Sequence, residues 1–387
     1  MRLGIDNLQY SKFKALRGAR IGLCANFSSC NSSLQTTISV FSQSKHVKLR
    51  ALFAPEHGLH GALQDQVTAK DFYDKSRKTA VYSLYSKSLA NEDKIRKQID
   101  CLVIDLQDIG ARYYTFLWSA MLMIEQMERL EKKVFILDRP NPLNGRKVQG
   151  PVLEKDHISF VGLYPIPIRH GMTIGELCTM ITREMWCQAT VEVISMKGWS
   201  RDLTFPDTGQ KWTIPSPNMP FYSTASVYPG MCLLEGTNVS EGRGTTRPFE
   251  LFGAPWIDAG LLTEVLQKKS IPGVVFRPAY FIPTFNKYAG KLCQGSQLYV
   301  INEKGFDPIA TGLEIISTIR YLYLKKFTWR KPPYEFEKKR MPFDILIGNS
   351  WVREAIENND SIQVIRKQWQ DGLKQFKNRR RKYLLYE

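Results

Sequence analysis

Eight consecutive residues, Ala54-Pro55-Glu56-His57-Gly58-Leu59-His60-Gly61, set a carboxyl beside an imidazole directly after the mostly apolar run Leu49 to Phe53. Two such groups can move protons near neutral pH. Pro55 has no amide proton to give a sheet ladder and so ends the run, while Gly58 and Gly61 allow backbone angles that other residues resist. Glu56 and His57 are therefore expected at the carboxyl end of a strand, the edge at which open α/β sheets bind ligands. The competing reading of these eight residues alone is an ordinary polar turn. His57 and His60 have H-x-x-H spacing, but no further His/Cys cluster accompanies them, and no metal site is expected.

Two more apolar runs end in charged clusters. Cys101 to Asp105 leads into Leu106-Gln107-Asp108-Ile109-Gly110-Ala111-Arg112, and Val134 to Leu137 leads into Asp138-Arg139-Pro140-Asn141-Pro142. If these strand ends lie side by side, Glu56, Asp105, Asp108 and Asp138 can share a cleft with Arg112 and Arg139. Adjacent Asp138 and Arg139 suit a structural brace equally, the commoner role of such a pair. A glycine-rich stretch, Glu235 to Thr246, holds Asn238, Ser240, Glu241 and Arg243 between its glycines. It lacks the Gly-Lys-Ser/Thr ending of a phosphate loop, and no G-x-G-x-x-G follows a strand, so no nucleotide cofactor is expected. Its composition suits hydrogen bonding to a polyhydroxylated ligand, with Arg243 offering a bidentate fork to a carboxylate. A domain linker is the alternative.

The elements that must position these groups alternate. Short apolar runs at Ala19 to Ala25, Leu49 to Phe53, Val81 to Leu84, Cys101 to Asp105, Val134 to Asp138 and Val191 to Met196 read as strands, with helices to Ser42, from Thr115 to Lys132 and from Thr173 to Trp186. Right-handed crossovers of this kind build a doubly wound, mostly parallel, Rossmann-like sheet. From Pro206 to Pro229 five prolines fall in 24 residues, the mark of an ordered irregular loop rather than helix or central strand. Beyond it, a helix at Leu261 to Lys269, strands at Gly273 to Arg277 and Gln297 to Ile301, and a long helix at Ala310 to Lys325 indicate a smaller α+β domain. Residues 1–245 are assigned to the Rossmann-like domain and 246–387 to the smaller one. Ile362, Ile365, Trp369, Leu373 and Phe376 recur at helical spacing and predict an amphipathic closing helix.

With 43% hydrophobic residues and no low-complexity tract, the 387-residue chain is long enough to bury a substantial core. Its formal charge of +17 favours anionic partners, yet the basic residues are dispersed and no nucleic-acid-binding signature accompanies them, so no nucleic-acid partner is expected. The seven cysteines form no C-x-x-C pair, and Cys24, Cys101 and Cys178 sit in apolar runs as core residues. This usage fits a reducing compartment. Met1 to Tyr10 lacks the pattern of a signal peptide, so a cytoplasmic location is expected, or a periplasmic or extracellular one if the terminus has been trimmed. No apolar run approaches the ~20 residues that span a bilayer.

Taken together, Pro55-Glu56-His57-Gly58, Gln107 to Arg112, Asp138 to Pro142, Arg169-His170-Gly171-Met172-Thr173-Ile174-Gly175-Glu176, Pro215-Ser216-Pro217-Asn218-Met219-Pro220 and Glu235 to Thr245 resemble, in order, the motifs of the exo-β-N-acetylmuramidase family NamZ. The resemblance runs from about Gly4 to Tyr386 and departs at Ser86, where the family pattern has glycine after Ser83-Leu84-Tyr85. It implies an exo-acting glycosidase that removes terminal N-acetylmuramic acid from peptidoglycan fragments, with a Rossmann-like catalytic domain. It also implies that Glu56 is the acid/base, with His57 tuning it. The second group is open between Glu241, Asp105, Asp108 and the substrate's own acetamido oxygen. Arg243, Arg112 and Arg169 are candidate readers of the lactyl carboxylate, and His170, Asn218 and Asn238 are candidate sugar contacts. A catalytically silent muropeptide binder and a nucleotide-dependent Rossmann-type enzyme are the alternatives.

Overall fold

The structure is a computed structural model that describes residues 1–64, 70–84, 92–185 and 187–387. Ser86, and Trp186 at the predicted helix end, lie outside the described residues. Seven strands form the main sheet: β1 (Arg20–Ala25), β2 (Lys48–Ala54), β3 (Phe72–Asp74), β4 (Thr79–Ser83), β5 (Cys101–Asp105), β6 (Lys133–Leu137) and, after the two-stranded pair β7 (Gln149–Val152) and β8 (Pro167–Arg169), β9 (Val191–Ile194). Their order is β3-β4-β2-β1-β5-β6-β9. All neighbours run parallel except β3, a short edge strand antiparallel to β4. The six predicted strands are all present. The strand β3 has too few residues to show a period.

Alternation along each strand feeds two cores. Leu102 and Ile104 of β5, with Val134 and Ile136 of β6, face helices Phe116–Arg129 and Ile174–Glu184. Cys101 and Val103, with Phe135 and Leu137, face Ile5 and Leu8 of helix Gly4–Tyr10 and Phe41 of helix Thr37–Gln43. Period-two patterning in which both faces are apolar is what a parallel sheet covered on both sides requires. Helix Ile174–Glu184 starts at Thr173, whose hydroxyl accepts from the Glu176 amide while the Glu176 carboxyl accepts from the Thr173 amide. That reciprocal cap is legible as Thr-x-x-Glu in the sequence.

The smaller domain holds an antiparallel sheet of β10 (Leu251–Ala254), β11 (Val274–Phe281) and β12 (Cys293–Val300), in the order β10-β12-β11, covered by helix Ala259–Lys268, on which helix Pro308–Leu322 packs in turn. Two expectations need correction. The proline-rich stretch is irregular only to Phe221, since Tyr222–Met231 is a helix that includes Pro229. Burial outweighs the lost amide, because every residue from Thr224 to Met231 is buried. The closing helix is two, Ile362–Gln368 and Gln370–Arg380, broken at Trp369 (φ −97°, ψ 1°). All five apolar residues that predicted it are buried.

Helix Tyr222–Met231 crosses helix Pro308–Leu322 with glycine on both. A Cβ at Gly230 would stand 1.7 Å from the Pro308 carbonyl oxygen, and one at Gly312 would stand 2.4 Å from that of Gly230. These are backbone atoms, which cannot swing aside. Gly230→Ala should therefore destabilise the fold by about 1–3 kcal/mol or more, as overpacking does. A denaturant midpoint equal to the wild type's would show that the helices separate freely.

Candidate active site

β2 ends at Ala54, and the chain then turns through His57 (φ 70°), Gly58 (φ 74°) and Gly61 (φ 64°). All three lie in the left-handed region, which glycine enters readily and histidine at some cost. The turn presents Glu56, whose Oε2 accepts a hydrogen bond from the Thr115 hydroxyl. Thr115 occupies the N-cap position of helix Phe116–Arg129, yet its side chain makes no capping bond. Its hydroxyl is given to the carboxylate instead. His57 Nδ1 lies 2.8 Å from the Leu63 carbonyl oxygen, and because a carbonyl only accepts, the proton sits on Nδ1. The ring edge packs on Phe116, 6.4 Å between centroids.

Glu56 and His57 line a pocket shared with Asn218, Glu235, Arg243 and Tyr334. The Asn218 amide donates to Gln64 Oε1 at 2.8 Å. Glu235 Oε1 accepts from Arg243 Nη2 at 2.8 Å and Nε at 3.2 Å, and its Oε2 accepts from the Tyr334 hydroxyl at 2.7 Å. Burial pushes the Glu235 carboxyl up, but the Arg243 charge and the bonds from Tyr334 and Arg243 outweigh it and hold the group below its ordinary value. The Arg243 guanidinium also stacks on Phe249, 5.1 Å from the ring centre. Glu241 sits behind this layer, with Lys287 Nζ 2.9 Å from one carboxylate oxygen and Arg243 Nε 3.6 Å from the other.

The other singled-out residues lie outside this pocket lining, in positions that hold the fold. Asp105 is fully buried and grips Arg139, with Nε 2.5 Å from Oδ1 and Nη2 2.9 Å from Oδ2. Arg139 thus braces the next strand's Asp105 rather than its own neighbour. Asp108 accepts from the Gly110 amide at 2.6 Å and faces His170 Nε2 at 3.5 Å. Arg112 is fully buried and donates to the carbonyls of Pro151, Ile166 and Leu346. With no carboxylate partner among the described residues, its guanidinium is brought down by burial to about 10. Asn238 clips the segment Lys326 to Thr328, donating to Lys326 O at 2.8 Å and accepting from the Thr328 amide at 3.0 Å. Arg169 opens on a different cavity, described below.

Asp138, buried at the end of β6, accepts from Thr173 Oγ1 at 2.8 Å, the Gly175 amide at 2.9 Å and the Tyr386 hydroxyl at 2.5 Å. Burial raises its carboxyl from 3.8 to about 6, against the pull of these donors. A carboxyl raised this way binds its proton more tightly when folded. Its contribution to stability is therefore complete below about 3.8 and lost as pH rises through about 6. Asp138→Asn has no such proton, so the wild-type melting temperature relative to that variant should fall between about pH 4 and pH 7. A gap that does not vary with pH would show that Asp138 titrates normally.

Glu235, Tyr334 and Thr115 are among the pocket residues that sequence spacing did not single out. Glu235 merely opens the glycine-rich stretch. Thr115 reads as a helix cap. Tyr334 arrives from about a hundred residues downstream of Glu235 without any local motif.

Comparison with known proteins gives a consistent result. The model of the family described as exo-β-N-acetylmuramidase NamZ matches in two parts, the N-terminal at residues 21–223 and the C-terminal at 226–386. The chain is 43% identical over its full length to peptidoglycan β-N-acetylmuramidase NamZ of Bacillus subtilis (strain 168), covering 91% of that protein. Among solved structures, a DUF1343 family protein of Bacteroides fragilis NCTC 9343 superposes with a TM-score of 0.89 at 31% identity, over 100% of this chain and 99% of that one. A second DUF1343 protein from the same organism gives 0.76 at 27% identity with the same coverage.

Proposed function

The chain belongs to the exo-β-N-acetylmuramidase family NamZ, and on that premise we propose that it hydrolyses terminal N-acetylmuramic acid from peptidoglycan fragments with Glu56 as the group that transfers the proton. The observation that carries this reading is one pocket whose carboxyls include two in different settings, Glu56 bonded to a neutral hydroxyl and Glu235 to an arginine, with Glu335 also on the lining. Glycosidic cleavage uses such a pair, one member protonating the leaving oxygen and the other facing the positive charge that develops at the anomeric carbon. An ionised Glu235, held by Arg243 and Tyr334, suits the second role. Glu241, Asp105 and Asp108 do not line the pocket, and Lys287, Arg139 and the Gly110 amide engage them in turn. The direct test is incubation with an N-acetylmuramic acid–N-acetylglucosamine disaccharide and mass analysis of the products. Release of free N-acetylmuramic acid is expected; intact disaccharide bound to the protein would mark a silent binder.

Arg243 is the arginine or lysine of the pocket lining among the described residues, and the lactyl ether of muramic acid supplies a carboxylate that N-acetylglucosamine lacks. A guanidinium presents its donors as a planar fork that matches a carboxylate, which an ammonium on a flexible stem cannot reproduce. Arg243→Lys should weaken muramic acid by about 2–5 kcal/mol, as loss of a desolvated charge pair does, and N-acetylglucosamine far less. Equal losses for both sugars, measured by competition, would place recognition of the lactyl group elsewhere.

A further inference from the structure

A second cavity, of about 420 Å³, lies where the two domains meet and shares no lining residue with the catalytic pocket. Its floor holds Arg169, 6% exposed. Arg169 Nη1 donates to Gln149 Oε1 at 2.8 Å and Nη2 to the Leu143 carbonyl, while Nε has no acceptor among the described residues. No carboxylate lies within ion-pair distance of it there, in contrast to the buried guanidiniums of Arg139, Arg201 and Arg243, which grip Asp105, Glu176 and Glu235. Burial lowers the Arg169 guanidinium to about 10, the expected result of desolvating a cation without a counter-ion. Arg112 is similarly unpaired, but three backbone carbonyls enclose it and it opens on neither cavity.

A second cation stands close by. The Lys147 ammonium donates to the carbonyls of Glu303 and Lys304 at 2.6 and 2.8 Å, tying the first domain to the turn that follows β12. Toward solvent the lining carries charges of both signs, Lys304 beside Asp202, Asp207 and Glu303, with Asp202 paired to Arg146. Asp207 and Glu303 are exposed there, and both are held in place, Asp207 by the Thr204 amide and hydroxyl and Glu303 by the Tyr222 hydroxyl at 3.1 Å. Buried Leu143 and Phe306 give the wall an apolar part.

A desolvated cation at the base, fixed carboxylates at the rim and a short apolar wall between them match one chemical class. We propose that this cavity is a second binding site for a small zwitterion, an amino acid or short peptide whose free carboxylate meets the Arg169 guanidinium and whose ammonium lies among the rim acids. The carboxylate neutralises a guanidinium that has no counter-ion among the described residues, a charge-assisted contact stronger than a neutral one. This inference is independent of the glycosidase reading, since none of its residues touches the catalytic pocket.

The experiment is titration calorimetry on the wild-type protein with dialanine, its C-terminal amide and its N-acetyl derivative. Dialanine should bind saturably, the amide should bind weaker by about tenfold or more, and N-acetylation should cost less, because the rim is more hydrated than the floor. Arg169→Lys, checked for an intact melting transition, should bind dialanine as weakly as the wild type binds the amide. Excess N-acetylmuramic acid should not displace dialanine. Equal affinity for dialanine and its amide, absence of saturable binding, or displacement by N-acetylmuramic acid would each overturn the proposal, and the first two outcomes need no variant to fold.

Discussion

Replacing Glu56 with glutamine should lower kcat on a muramic acid disaccharide by about 10² to 10⁴, the usual contribution of a positioned acid/base group, with little change in KM or melting temperature. The geometry makes this a clean test. Glutamine keeps an oxygen that accepts from the Thr115 hydroxyl, so the turn after β2 and the start of helix Phe116–Arg129 retain their contact. Only the exchangeable proton is lost. Because the side chain sits in a turn and contributes to no ion pair among the described residues, its removal has no route to the core that would confuse a catalytic loss with unfolding. A variant retaining more than half of wild-type turnover would remove Glu56 from the proton transfer.

Arg139→Met should act in the opposite manner, lowering stability by about 3–5 kcal/mol, the cost of leaving a buried carboxylate uncompensated. Asp105 is fully buried and Arg139 nearly so, and Thr37 adds a third contact at 2.5 Å to the same carboxylate. This cluster ties the end of β5 to the segment after β6 and to helix Thr37–Gln43. Methionine fills most of the volume but offers no charge. The protein that remains folded should turn over substrate at close to the wild-type rate, because neither residue lines the catalytic pocket. An unchanged denaturant midpoint would show that the Arg139–Asp105 pair does not hold the fold, and a selective loss of kcat would make Asp105 a catalytic candidate again.

These two variants separate what looked equivalent in the chain. Glu56 and Asp105 are both carboxyls at the ends of apolar strands in a parallel sheet, and local spacing treats them alike. What divides them is which neighbour arrives. Arg139, 34 residues along, closes on Asp105 and seals it in, whereas Glu56 receives only a hydroxyl and stays on the pocket wall. The same holds for the arginines. Arg112 and Arg243 both follow glycine-containing motifs, yet Arg112 is taken up by carbonyls from three distant segments and Arg243 pairs with Glu235 on the pocket lining.

By itself the sequence determined whatever depends on neighbours within a turn or two. Apolar alternation specified six strands covered on both faces, Thr173-x-x-Glu176 specified a helix start, and Pro55 with Gly58 and Gly61 specified the turn that presents Glu56. These are local steric and hydrogen-bonding constraints, which leave a period or a residue type to read. The tertiary structure alone decided which charges pair and which face a cavity. Glu235 acquires its low proton affinity from Arg243 and from Tyr334, 99 residues away, and Arg169 comes to line a cavity where two domains meet, with no carboxylate partner among the described residues. Coulomb and desolvation energies depend on distance in space and on exclusion of water, neither of which is encoded by separation along the chain.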